Sequence, residues 1–329
     1  MNNRSTDTPA SSLVTWVFGN VCLDTKVFHD SRVVKTQQAI GGTSAFAASF
    51  LSLFRPHHPT TLFSLGLPTG FSPPSSSSAI DQSTSDSLMH FQLDYRGEGR
   101  TLRVVDQPTG VLHLPELPYQ TPDLVMVAPI WREAPESLVT QVREHFPHAT
   151  VTCDPQGWYR TLEPSSGEVL HQPWYPTPQL LQDLSLLKLS SSDLASVDRT
   201  SLADLVEQAC LHQTVLVLSC GCRGAVGWDG VHSESCLVLP ALPLSGELVD
   251  PTGAGDVFLA ALSCVLAEGR SLREALAEAS VMSGLLIQAP GTQFRRVNPS
   301  EQSKMVREQM EMVRVVPTDD GVTWALTPS

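Results

Sequence analysis

Positive charge is in short supply in this chain. Lysine and arginine number 21 against 34 aspartates and glutamates, a formal net charge of −13 over 329 residues. No basic run exists to neutralise a phosphate backbone or an anionic bilayer, so nucleic acid and membrane surfaces are excluded as expected partners. No stretch reaches the roughly 18 apolar residues of a membrane span. Two nucleotide motifs are missing as well. No Gly-Lys-Ser/Thr occurs for a P-loop, and no Gly-x-Gly-x-x-Gly follows the first predicted strand to suggest a nicotinamide enzyme. The seven cysteines include one close pair, Cys220 and Cys222, but no second pair to complete a four-ligand zinc site. Free thiols in a reducing cytoplasm are the expectation. Residues 1–12 carry no apolar core, so a disordered tail is expected there and a secretory signal is not.

What is present is a globular composition, 41% hydrophobic and 17% charged, with a regular alternation of patterns. Residues 14–21 read as a buried strand ending at Gly19-Asn20, followed by a polar turn and Asp24. Gly41-Gly42 opens a helix over 43–54 with Thr43 as its N-cap, and 60–65 is another strand. Residues 68–88, with Pro73-Pro74 and two serine clusters, predict a flexible loop. From 89 to 114 the period becomes two. Phe91, Leu93 and Tyr95 alternate with polar residues, Gly97-Glu98-Gly99 turns the chain, and Leu102, Val104 and Val105 return, as in a β-hairpin with one solvated face. Beyond it, strands at 124–128, 150–153, 184–189 and 215–219 alternate with helices at 133–146 and 201–211. That rhythm predicts parallel strands with crossover helices on both faces, and ligands at the strands' carboxyl ends. A helix over 257–266 stops at Gly269, and Ser271 with Glu274 forms a capping box for the next. One domain over 13–315 and a tail over 316–329 complete the expected organisation.

The most telling run is Asp250-Pro251-Thr252-Gly253-Ala254-Gly255-Asp256. Three residues with little or no side chain leave backbone N–H groups uncovered where a helix begins, and those groups have no partner inside the helix. With the helix dipole they favour an anion such as phosphate. A carboxylate beside an anion site is electrostatically unfavourable unless it acts there, and the matching task is to take a proton from a hydroxyl attacking phosphorus. An Asp in a first turn also stabilises a helix with no catalytic role, so the four residues 253–256 alone leave both readings open. Asp24, and Gly41-Gly42 at a helix start, suit a polyol, since a carboxylate accepts two hydroxyl bonds and glycine lets the backbone come close. Spacing alone equally describes two ordinary loops. Likewise Ser190-Ser191-Ser192-Asp193 after a strand is, unaided, a usual helix N-cap, and the glycine turn at 221–224 is also what a hairpin needs.

The longer string Asp-Pro-Thr-Gly-Ala-Gly-Asp-x-Phe, ending at Phe258, closely resembles the C-terminal signature of the ribokinase/PfkB-type carbohydrate kinases. The resemblance spans about residues 14–298. It implies a three-layer α/β/α sandwich with a mostly parallel central sheet, and a small β-sheet lid at about 89–114 that closes over substrate. It makes Asp256 the base and the amides of Gly253, Ala254 and Gly255 the anion hole. Gly19-Asn20-x-x-x-Asp24 and Gly41-Gly42-Thr43-Ser44 look like the family's sugar-binding loops, which assigns Asn20, Asp24, Gly41, Gly42 and Thr43 to the acceptor. Residues 218–225 resemble the family's Thr-x-Gly-x-x-Gly stretch along the ATP groove, which assigns Ser219, Gly221 and Gly224, with Ser190 and Thr252, to the nucleotide. Residues 188–193 align with Lys-x-Asn-x-x-Glu. There Asn has become Ser190 and Glu has become Asp193, one methylene shorter, and Asp193 is the implied Mg²⁺ residue, acting through water. A monovalent cation, K⁺, is a further family expectation near Asp250 and Ala289-Pro290-Gly291.

The expected activity is therefore ATP-dependent phosphorylation of a hydroxyl on a sugar, cyclitol or related polyol. Residues Cys153, Asp154, Gln156, Gly157 and Arg160 are similar to those of myo-inositol kinase-like members, and Phe46 replaces an Asn common in ribokinases, which disfavours ribose. Two rivals stand beside this reading: a nucleoside kinase acting on an adenosine-like acceptor, and a non-catalytic nucleotide-binding regulatory protein of the same fold. A cytoplasmic location and a homodimer through the lid are the remaining expectations.

Overall fold

The computed structural model describes residues 12–29, 34–84, 86–96, 99–116, 120–191 and 199–327. Its first half contains β1 (Thr15–Phe18), β2 (Cys22–His29), β3 (Val34–Gly41), α1 (Thr43–Phe54), β4 (Thr60–Ser64), β5 (Ser77–Asp81), β6 (His90–Arg96), β7 (Gly99–Asp106), β8 (Leu124–Val127), α2 (Ser137–His145) and β9 (Thr150–Cys153). The second half contains β10 (Arg160–Leu162), β11 (Val169–His171), α3 (Pro178–Asp183), β12 (Leu186–Ser190), α4 (Arg199–Leu211), β13 (Val215–Ser219), β14 (Gly224–Trp228) and β15 (Ser235–Pro240). It ends with α5 (Ala254–Ala267), α6 (Leu272–Leu286), α7 (Pro299–Met312), β16 (Arg314–Pro317) and α8 (Thr318–Leu326).

Ten strands form one sheet in the order β16-β15-β14-β13-β12-β9-β8-β1-β4-β5. From β13 to β5 every neighbouring pair is parallel, and β14, β15 and β16 complete the other edge antiparallel. Parallel strands need crossovers, so helices cover both faces and the central strands are buried throughout, as β1 and β8 are. On one face α2, α3, α4 and α8 contribute Leu138, Leu180, Val206 and Val322 to a core around Trp16 and Trp228. On the other, α1, α5 and α6 contribute Phe50, Leu262, Leu276 and Met282 around Val17 and Met126. This is a three-layer α/β/α sandwich. Ser271 caps α6 through the reciprocal Ser271–Glu274 box. Among the described residues no helix is long and apolar enough to cross a membrane.

A second sheet of four strands, ordered β3-β2-β6-β7, stands beside the main one. The hairpin read at 89–114 is its β6–β7 pair. The expected polar turn after β1 is instead the strand β2, paired antiparallel with β3 and parallel with β6. Its pattern is inverted. Cys22, Asp24 and Lys26 are the buried positions while Leu23, Thr25 and Val27 are half-buried, so an apolar-inward search passes over it.

Two further expectations give way. Within the serine-rich 68–88 segment, Ser77–Asp81 pairs in parallel with β4 as the edge strand β5. An edge strand needs backbone bonds on one side only, and polar side chains suit its open side. The expected tail from 316 onward is the end of β16 and the helix α8, with Val322 and Ala325 buried. Gly321 lies in that helix, where a Cβ would sit 2.1 Å from Cys236 Sγ. Gly321→Val is therefore expected to lower stability by about 1–3 kcal/mol, read from the urea midpoint, and an unchanged midpoint would contradict this docking. Of the tail expected over 1–12, residues 1–11 lie outside the described residues.

Candidate active site

A cleft of about 710 Å³ opens at the carboxyl ends of β9, β12 and β13, bounded by the start of α5 and by the smaller sheet. Asp256 lies in the first turn of α5, and the residue before the helix, Gly253, has φ 82° and ψ −1° with no side-chain cap. Only glycine adopts that left-handed conformation freely. A Cβ on Gly253 would also meet the Phe46 ring at 2.2 Å. The N–H of Ala254 turns back 3.3 Å to the Pro251 carbonyl, so of the three expected amides it is those of Gly253 and Gly255 that remain for an anion.

The carboxylate itself is held on one side. Thr43 Oγ1 donates to Asp256 Oδ1 at 2.7 Å, and Gln156 Nε2 donates to the same oxygen at 3.4 Å. Among the described residues no hydrogen bond reaches Oδ2. Burial pushes the Asp256 carboxyl up to about 6, with Asp154 adding to the rise while the Thr43 bond, Lys188 and Arg160 oppose it. Thr43 is not the N-cap of α1: Gly42 holds that place without a side-chain bond. The hydroxyl that would have capped its own helix reaches across to α5 instead.

Several residues around this centre act on one another. Lys188 Nζ donates to Asp154 Oδ2 at 2.6 Å, both side chains 3% exposed. A Cβ on Gly255 would lie 3.1 Å from that ammonium, so the cation stands against the α5 loop. Arg160 donates to Gln156 Oε1 at 2.7 Å. This fixes the amide so that its NH₂ faces Asp256. Asp24 faces the same cleft from β2, accepts from Cys22 Sγ at 3.3 Å, and is raised above its ordinary value by burial. A Cβ on Gly41 would meet Asp24 Oδ2 at 2.2 Å, and Gly42, at φ 87°, would place one 2.2 Å from the Asn20 carbonyl. The glycine pair is therefore required by the close approach of β2.

Asn20 is not brought to the cleft. Its Oδ1 accepts from the Leu65 N–H at 2.8 Å, its own N–H donates to Glu133 Oε1 at 3.0 Å, and it borders a separate 350 Å³ pocket. Glu133 also accepts the N–H groups of Ile130 and Trp131. The pair braces the loops after β1 and β8, because buried backbone donors there need an acceptor. The sequence pattern places Glu133 simply at the start of a helix, whereas α2 begins at Ser137.

On the other side, Ser190, Ser219, Gly221 and Gly224 line the cleft, as Thr252 does. Gly224, at φ 116°, has no room for a Cβ, which would lie 2.0 Å from the Leu239 carbonyl. Ala241, Leu242, Leu244, Leu248 and Ile287 give this half an apolar wall. Cys220 is buried and Cys222 exposed, so the two thiols meet different surroundings. Asp193 lies outside the described residues, and among those described no three His, Cys, Asp or Glu side chains converge to hold a metal.

The family described as pfkB family carbohydrate kinase matches residues 132–299. No curated protein sequence matches the chain. Among solved structures, the chain is similar to an Arabidopsis thaliana ribokinase complexed with ribose and ATP, at 17% identity over 90% of this chain and 99% of that one, with a TM-score of 0.64. A pyrophosphate-dependent kinase in the ribokinase family, complexed with a pyrophosphate analogue and myo-inositol, shares 19% identity over 88% and 99% with a TM-score of 0.66. The Methanocaldococcus jannaschii nucleoside kinase shares 13% over 91% and 100% with a TM-score of 0.65.

Proposed function

The chain belongs to the pfkB family of carbohydrate kinases, and we propose that it transfers the terminal phosphoryl group of ATP to a hydroxyl of a sugar, cyclitol or related polyol. One observation carries this reading: Asp256 presents an oxygen that no described residue bonds to a cleft that also contains the amides of Gly253 and Gly255, bare among the described residues. The acceptor hydroxyl sits against Oδ2 and gives its proton there as it attacks phosphorus. Negative charge spreading over the transferred group meets the two amides, the α5 dipole and the Lys188 ammonium. Asp24 accepts hydroxyl bonds from the far side of the acceptor and fixes which hydroxyl faces Asp256. Mg²⁺ bound to the donor phosphates would neutralise charge between them, and the described residues offer it no cage of their own.

The apolar wall from Ala241 to Ile287 favours a nucleotide over bare pyrophosphate as donor, because pyrophosphate has no apolar surface to bury there. A second reading of the acceptor has its own support. Phe46, Phe91, Leu93, Leu102 and Ile130 line the acceptor half, an apolar surface that suits the base of a nucleoside. Product formation decides between them, with sugars, cyclitols and nucleosides as acceptors and ATP–Mg²⁺ or pyrophosphate–Mg²⁺ as donor. The expected result is ATP-dependent phosphorylation of a sugar or cyclitol. A preference for nucleosides replaces the acceptor, a preference for pyrophosphate replaces the donor, and no product with any pair overturns the proposal.

A further inference from the structure

The monovalent cation expected near Asp250 does not fit the residues found there. Asp250 Oδ2 accepts the Lys26 ammonium at 2.5 Å and the Gly291 N–H at 3.2 Å, while Oδ1 accepts the Thr252 N–H at 3.1 Å. Gly291 thus turns its donor, not its carbonyl, toward the carboxylate. The Lys26 side chain is 4% exposed and that of Asp250 13%, so the pair is shielded from water. A second unit positive charge about 4 Å from that ammonium would lose roughly a thousandfold in affinity at the effective dielectric of a protein.

We propose that the Lys26 ammonium takes the place of a monovalent cation, so that the charge organising the loop before α5 is carried by the chain itself. The placement explains the polar inward face of β2. Lys26 reaches from the smaller sheet to the first residue of the Asp250–Asp256 run, and Asp250 in turn holds the Thr252 N–H one residue before Gly253. Tyr95 on β6 adds a second tie, its hydroxyl 3.4 Å from Thr252 Oγ1. Lys26 is accordingly a positioning residue: it acts on the amides of the loop through Asp250. Protonation of Asp250 does not break the pair near neutrality. Burial raises Asp250, but the bonds from Lys26 and Thr252 and the Lys26 charge outweigh it and hold the carboxyl below its ordinary value. Asp24, the other carboxylate beside Lys26, is raised overall by burial, and the same charge opposes that rise.

This rests on the kinase reading for its activity arm, and a thermal arm stands without it. The melting temperature and, where an acceptor is found, kcat/KM are measured in potassium, sodium and choline chloride at matched ionic strength. For the unaltered chain both should be the same in all three salts. Lys26→Met leaves a buried carboxylate unpaired and should lower turnover and melting temperature, by about tenfold or more in turnover. Potassium, but not choline, should then restore a large part of both. Lys26→Arg keeps the charge and should remain indifferent to the salt, which covers the case in which the methionine variant fails to fold. Activation or stabilisation of the unaltered chain by potassium over choline overturns the proposal, as does a methionine variant that behaves like the parent. If no acceptor is phosphorylated at all, the kinase reading has failed and the melting temperatures still decide this one.

Discussion

Asp256→Asn lowers turnover by about 10²- to 10⁴-fold, the range a positioned base contributes, and leaves ATP binding in place. The amide oxygen still accepts from Thr43, so the geometry of the α5 start is kept while the proton acceptor is lost. Stability should move the opposite way. The carboxyl, with an ordinary value of 3.8, is raised to about 6 in the folded chain. Folding therefore favours its protonated form. Its favourable contribution is complete below about pH 4 and is lost as pH rises through about 6. At pH 8 the parent carries a charge that burial disfavours and the variant does not, so the variant should melt at the same temperature or higher. A collapse of turnover together with a lower melting temperature would assign the loss to structure instead of chemistry.

Gly253→Ala should cost about 10²- to 10³-fold in turnover, as expected when an anion-binding amide is displaced. Two effects coincide at this position. The φ of 82° is strained for any residue with a Cβ, and that Cβ would overlap the Phe46 ring at 2.2 Å. Phe46 is buried in the α1–α5 core and cannot step aside, so the loop must shift. Gly269 supplies the control. It has φ 74° at the other end of α5 with nothing within 4 Å of its Cβ position. Gly269→Ala carries backbone strain of about 1–3 kcal/mol but should leave turnover unaltered. Equal losses in both variants would mean that strain in general, and not the amide at 253, is what the reaction feels.

The parts of the fold that could be read in advance are those where one physical rule acts alone. Buried parallel strands show as continuous apolar runs, and β8 and all but the last residue of β13 follow that rule. The capping box at Ser271 is a local bond between residues three apart. The bare amides before α5 are a property of side-chain size. What escaped were positions where long-range structure outweighs local pattern. β2 turns Cys22, Asp24 and Lys26 inward because the cleft, not a core, lies under it. β5 is serine-rich yet paired, since an edge strand is secured by its backbone. Thr43 has the sequence of a cap and the contacts of a partner to Asp256. Asn20 has the spacing of an acceptor ligand, but its carbonyl oxygen is taken by the Leu65 N–H, 45 residues away. The Lys188–Asp154 and Lys26–Asp250 pairs join residues 34 and 224 positions apart, and no periodicity encodes such distances.

The dependence of kcat/KM on pH tests most directly whether Asp256 takes the proton. If it does, the acid limb falls with unit slope below a midpoint near 6, the value burial gives this carboxyl, and that limb is absent from the residual activity of Asp256→Asn. A profile that stays level down to pH 4.5, or an acid limb retained unchanged in the asparagine variant, contradicts the account.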